Sequence, residues 1–173
     1  MSNSFPFEDL LRIAERECCA HYPGLRLVPL DANALKDWRS QWGNMRVKRL
    51  PRFLWNEIAQ ENAGDENRIG WAIYIGKELC GLVAGYIEMG DKKILNLGMA
   101  EASPKPDHAM KGKIGACTVA VAEAIAIHGK LDSVQAHAPF EASVPFYEAR
   151  GYTPNGRPGF VGYYLEKLIV PTL

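Results

Sequence analysis

The stretch from Lys92 to Tyr152 constrains the fold more than any other part of the chain. It reads as a strand (92–99), a loop holding glycines, a helix (114–128), a second strand (133–138) and a short helix that carries a tyrosine. A strand that feeds a glycine-bearing loop into a helix start brings unpaired N–H groups and the positive end of the helix dipole to one point, which suits a phosphate. The segment KGKIGA supplies this pattern: Gly112 and Gly115 sit where the chain must turn and approach a ligand, and Lys111 and Lys113 add charge that favours an anion. On local signal alone the same segment also fits an ordinary loop and helix start.

The stretch closes on PFYEARGY, in which Gly151 is placed to stop a helix in the left-handed conformation after Arg150. A glycine loop, a helix, a strand and then a short helix ending in F-Y-x-x-x-G-Y resembles, in this order and spacing, the closing motifs of the GNAT acetyltransferase superfamily. The resemblance covers roughly residues 25–168. It implies an α+β fold with a mixed, mostly antiparallel sheet, a central parallel pair that splays apart, and helices on both faces. It also implies an acyl-CoA N-acyltransferase, acetyl-CoA foremost, in which an amine attacks the thioester directly, with no covalent enzyme intermediate and no metal.

What the resemblance implies for single residues follows its motifs. Acyl-CoA would insert between the splayed strands, with the main chain of Leu97 and Met99 meeting the pantetheine arm and the thioester carbonyl. Lys111, Gly112, Lys113, Ile114, Gly115 and Ala116 would hold the pyrophosphate, and Tyr147 would protonate the departing thiolate. For the base that takes the amine's proton, His137 and Glu101 at the strand ends, Glu88 at the end of the preceding strand and His108 in the long loop all stand open. The acceptor itself, an amine, is not written in the sequence.

The chain also departs from the family's pattern. Against Q/R-x-x-G-x-G/A, with the last glycine aligned on Gly115, Met110 takes the first position and Lys113 the middle one; setting Lys111, Gly112 and Lys113 against the family's R-G-K needs a one-residue deletion. Phe140 stands seven residues before the tyrosine, where Asn or Gln is frequent, and could pack against the cofactor arm. These departures motivate a second reading of the same fold, a CoA-binding or protein-interaction module without catalysis.

The rest of the chain sets bounds. Its 173 residues suit one domain, with 1–24 as a helical extension and 25–173 as the core. Twenty basic residues balance twenty acidic ones, which argues against a general nucleic-acid footprint. No apolar run has the length of a membrane span and the first residues lack the order of a signal peptide, so the expected compartment is the cytoplasm. Cys18, Cys19, Cys80 and Cys117 have no zinc-site spacing and read as reduced, structural thiols.

Taken in order, Ser4 can cap a first helix whose stripe of Phe7, Leu10, Leu11, Ala14 and Cys18 packs on the domain or, in a homodimer, on a partner subunit. LRLVPL is a strand, and Asp31 caps a helix through Trp42. Arg46, Lys48, Arg49 and Arg52 gather in a loop before a helix from Arg52 to about Gln60; a solvated face and an edge that attracts an acidic acceptor are both open. Two β-rich runs joined at Gly76 and Lys77 form a hairpin, with Gly81 and Gly85 marking bulges or close approach. The helix after KGKIGA is apolar nearly all round and so is buried on most sides. TPNGRPG reads as a turn before a final strand.

Overall fold

A computed structural model describes residues 5–43, 45, 53–156 and 162–170. Ser4 and the basic segment 46–52 lie outside the described residues. Seven strands form one sheet in the order β1-β2-β3-β4-β5-β7-β6, where β1 is Leu25–Pro29, β2 Arg68–Ile75, β3 Glu78–Met89, β4 Lys93–Ala102, β5 Ser133–His137, β6 Thr153–Asn155 and β7 Tyr164–Leu168. Only β4 and β5 run parallel; the other neighbouring strands are antiparallel. The helices are α1 (Phe7–Cys18), α2 (Ala32–Trp42), α3 (Trp55–Ala63), α4 (Ile114–His128) and α5 (Val144–Glu148).

Two cores result, one on each face of the sheet. On one face α1 and α4 pack together over Trp71, Val83, Leu95, Leu97, Val134 and Ala136. The α4 sequence is Ala-rich and apolar on every side because it is enclosed by the sheet beneath and α1 above. The stripe of α1, with Leu10, Leu11, Ala14 and Cys18 buried, is thus used within the chain, as the sequence led us to expect. Glu15 adds a tie by accepting the Leu27 backbone N–H at 2.6 Å. On the other face α2 and α3 cover β1–β3 through Trp42, Trp55 and Ile58. Asp31 caps α2 by accepting from the N–H groups of Asn33 and Ala34, both at 2.9 Å. Trp42 Nε1 donates to the Leu79 carbonyl at 3.0 Å and clamps α2 to the β2–β3 hairpin.

Several boundaries differ from the sequence reading: β4 runs on to Ala102 rather than ending at 99, and β5 stops at His137 rather than 138. The first helix begins at Phe7 with Pro6 at its cap position and no side-chain cap. The third helix starts at Trp55, not Arg52. Thr153–Asn155, read as part of a turn, is a short edge strand against β7; its proline is tolerated because an edge strand leaves one row of N–H positions unpaired. All four thiols are free, and burial pushes that of Cys117 up to about 12. Among the described residues no helix is long and apolar enough to cross a membrane.

Candidate active site

The site is made by the way β4 and β5 part. Their parallel register runs from Ile94 opposite Ser133 to Leu97 opposite Ala136 and stops there. β5 ends one residue later at His137, whereas β4 continues to Ala102 along β3. Backbone groups on the β5 side of β4 beyond Leu97 therefore have no neighbouring strand, and an extended ligand can take that place. A cavity of about 650 Å³ opens at the gap, lined by Leu97, Gly98, Met99, Ala136 and His137 from the strands, by Gly112, Ile114, Gly115, Ala116 and Thr118 from the α4 start, and by Phe140, Phe146 and Tyr147 from the segment after β5.

A bulge shapes the β4 wall. Ala84 pairs with Met99 and Gly85 with Leu97, which leaves Gly98 without an opposite residue. One inserted residue reverses the side-chain alternation. Leu97 consequently joins the core under α4, and Met99 packs with the α2–α3 core on the opposite face. Gly85 is obligatory in this arrangement, because a Cβ there would collide with the Asn96 carbonyl oxygen.

At the α4 start, Gly112 takes φ of +73°, a left-handed turn that glycine makes without strain. Lys113 holds the cap position and gives no side-chain cap, so the first N–H groups of α4 are left for an anion. Gly115 also makes room for α5: a Cβ would sit 3.3 Å from Phe146 Cζ, and without one the short helix can seat on α4. Lys111 and Lys113 do not line the cavity; both are exposed beside residues that do. Met110, in the place of a polar family residue, is buried in the core. Uncapped amides, two exposed lysines and an open-ended strand gap fit a phosphorylated, extended cofactor such as CoA.

Tyr147 lines the cavity from α5, edge-on to Phe146 at 5.2 Å and Tyr152 at 5.4 Å between ring centres. Burial raises its pKa, which keeps the phenol protonated. The turn that closes its helix holds Gly151 in the expected left-handed conformation, with φ of +86°, and the Tyr152 N–H returns to the Tyr147 carbonyl at 3.2 Å. Phe140 also lines the cavity but is 64% exposed, so it forms a rim rather than a packed wall.

The base candidates separate. His137 lines the cavity, and burial lowers its pKa against the opposing field of Glu88. Glu101 does not line it; its Oε2 accepts the Trp55 indole N–H, which ties β4 to α3. Glu88 is exposed near the end of β3, outside the lining. His108 is buried in the loop before α4, away from the lining, with its pKa lowered by burial. Residues that the sequence reading missed include Gly98, Thr118 and the partners of His137. Gln135 Oε1 lies 3.0 Å from His137 Nε2, and Tyr164 stacks on the His137 ring at 5.5 Å. The polar residues at 133, 135 and 137 alternate along a strand, a pattern that could have flagged one polar face.

Solved structures share this architecture. Spermidine N-acetyltransferase SpeG from Vibrio cholerae matches with a TM-score of 0.58 at 18% identity, covering 84% of this chain and 94% of that one. The chain has the fold of the GNAT acetyltransferases. An acetyltransferase of the GNAT family from Streptococcus pneumoniae matches with a TM-score of 0.53 at 15% identity, over 84% of this chain and 99% of that one. An acetyltransferase from Streptococcus agalactiae gives 0.58 at 17% identity, over 85% and 99%. No family model and no curated protein matches the sequence. In this chain the Lys92–Tyr152 stretch supplies both the β4–β5 gap and the α4 start.

Proposed function

We propose that this protein is an acyl-CoA-dependent N-acyltransferase that moves an acetyl group from acetyl-CoA to an amine. The observation that carries this reading is the parting of β4 from β5 directly over the uncapped start of α4. When bound, acyl-CoA supplies an activated acyl group on sulfur. In this reading main-chain groups of β4 around Leu97–Met99 hold the pantetheine arm in the place of a missing strand, and the Met99 amide polarises the acyl carbonyl. The α4 amides, with Lys111 and Lys113, hold the pyrophosphate.

Tyr147 gives its proton to the departing sulfur, and its raised pKa keeps that proton available at neutral pH. His137 takes a proton from the amine; of the four base candidates it alone lines the cavity. Its lowered pKa keeps the ring neutral at pH 7. The spermidine acetyltransferases among the structural neighbours make polyamines the first acceptors to try, beside amino acids, peptide N-termini and aminoglycosides.

The test is thiol release from acetyl-CoA across that amine panel, with CoA binding followed by calorimetry and thermal unfolding. Ligand at one hundred times its dissociation constant should stabilise the fold by about 2.7 kcal/mol. Replacing both exposed lysines, Lys111→Glu with Lys113→Glu, should weaken CoA binding roughly tenfold or more and flatten its salt dependence. Binding without turnover of any amine would favour the CoA-binding module, and no binding at millimolar CoA would remove both it and the acyltransferase, leaving a protein-interaction module.

A further inference from the structure

One face of β5 carries Ser133, Gln135 and His137 in succession, and the opposed strand β7 sets Glu166 across from Gln135 and Tyr164 across from His137. Ser133 and Gln135 are buried, at 1% and 6% exposure. Glu166 Oε1 accepts the Ser133 hydroxyl at 2.7 Å and the Gln135 Nε2 amide at 3.1 Å. A carboxylate only accepts hydrogen bonds, so this contact fixes the rotation of the Gln135 amide with its nitrogen toward Glu166. The amide oxygen then faces His137 and can itself only accept. His137 must therefore donate from Nε2 across the 3.0 Å contact, which puts the free lone pair of the neutral ring on Nδ1.

We propose that Glu166 and Gln135 are positioning residues that lock His137 in the tautomer whose Nδ1 receives the acceptor amine's proton. The proposal rests on the reading of His137 as the base. In the reaction the ammonium of the acceptor gives one proton to Nδ1, and its freed lone pair forms the C–N bond to the acyl carbon. The C–S bond breaks, sulfur takes the Tyr147 proton, and the second proton leaving nitrogen restores the Tyr147 hydroxyl. The imidazolium keeps its Nε2–H bond to the Gln135 oxygen and releases its new proton to solvent.

The ring is held in place from several sides. Tyr164 stacks on it nearly parallel, at 15°, and Tyr86 of β3 meets it from another side at 6.1 Å. The ionisable groups facing it are Glu88 and Tyr86 from β3 and Tyr164 and Glu166 from β7. Only Glu166 reaches the ring through a hydrogen-bonded chain. A network that only tied β5 to β7 would put no requirement on the His137 tautomer; the chain from Glu166 through the Gln135 amide sets one.

The decisive measurement is 15N NMR of the imidazole in the intact wild-type protein at pH 8, which needs no variant. The expected spectrum is that of a neutral ring protonated at Nε2; a ring protonated at Nδ1 overturns the proposal. The pH profile of kcat/KM for the acceptor then tests the consequence. Gln135→Leu and Glu166→Gln should each lower the plateau roughly tenfold. Gln135→Glu made together with Glu166→Gln, so that a carboxylate meets Nε2 without a second carboxylate beside it, should move the acid limb to higher pH by about 1. If His137→Gln removes the acid limb but the Gln135→Glu, Glu166→Gln pair leaves it in place, the proposal fails and the base assignment stands. If His137→Gln leaves the limb in place, the base assignment fails, and the proposal with it.

Discussion

The two faces of β5 are both buried, yet they are built from opposite chemistry. Val134 and Ala136 point into the apolar core under α4. Ser133, Gln135 and His137 point the other way and meet Glu166, Tyr164 and Tyr86. The proposed acid belongs to the first face, since Tyr147 packs against the α4 core, and the proposed base to the second. Burial acts on them in opposite directions. It raises the phenol and lowers the imidazole, so each is held at pH 7 in the protonation state that its role needs. The cavity at the strand gap lies where the two faces meet.

The sharpest way to break this comparison is Tyr147→Phe. The ring stays, with its edge contacts to Phe146 and Tyr152, and only the hydroxyl is lost. The maximal rate should fall by roughly 10²–10⁴ while acetyl-CoA affinity stays within a few-fold. Turnover at the wild-type rate, measured where chemistry limits, would mean that the sulfur leaves unassisted and that the apolar face supplies no acid. Next in size is a stability effect on the same face. Val134 is fully buried, so Val134→Ala should cost about 2 kcal/mol in a urea titration, the loss of two methyl groups plus the space they leave. A cost near zero would show that this face can collapse around a gap and is not a rigid wall.

The apolar face was the legible one. Apolar residues at 134 and 136, the Ala-rich helix and the left-handed Gly151 all follow from local pattern, and the order from β2 to β5 follows from hairpins and one crossover, whereas β6 and the place of β7 between β5 and β6 do not. The α4 start was legible for the same reason: a helix start and two glycines act through the backbone, which sequence reports well. The base was not. Glu88, Glu101, His108 and His137 look alike in sequence, and what separates them is long-range: an indole 46 positions away occupies Glu101, and a carboxylate 31 positions from Gln135 orients the amide beside His137. The Gly98 bulge was hidden too, because the register of β4 is decided by its partner, and it sends Leu97 and Met99 to opposite faces.

A smaller effect separates function from stability on the polar face. Asn96 of β4 lies opposite Gln135, has no exposed surface, and neither its amide nitrogen nor its amide oxygen has a hydrogen-bond partner. An unsatisfied buried amide opposes folding. Asn96→Leu, close in volume, should therefore stabilise the protein by about 1 kcal/mol, the opposite sign to Val134→Ala on the apolar face. If the substitution instead destabilises, Asn96 is satisfied by buried water, and the polar face is hydrated in its interior.

The smallest effect is the pH dependence of stability. His137 and His108 both have folded-state pKa values pushed below the ordinary 6.5 by burial. Between those lowered values and 6.5 the unfolded chain binds more protons than the folded one, so stability rises with pH in that window and is lost as pH falls through it. Urea midpoints should be level above pH 7 and should decline between about pH 6.5 and pH 5, before most carboxylates titrate. His137→Gln should remove the part of the decline that belongs to the polar face of β5, and His108→Gln the part that belongs to the loop before α4. A decline that disappears with His108→Gln alone would mean that His137 charges as readily in the folded protein as in the unfolded chain. The ring would then be half protonated near pH 6.5, the acid limb of the rate profile would lie at the same pH, and the contrast between the two faces would rest on Tyr147 only.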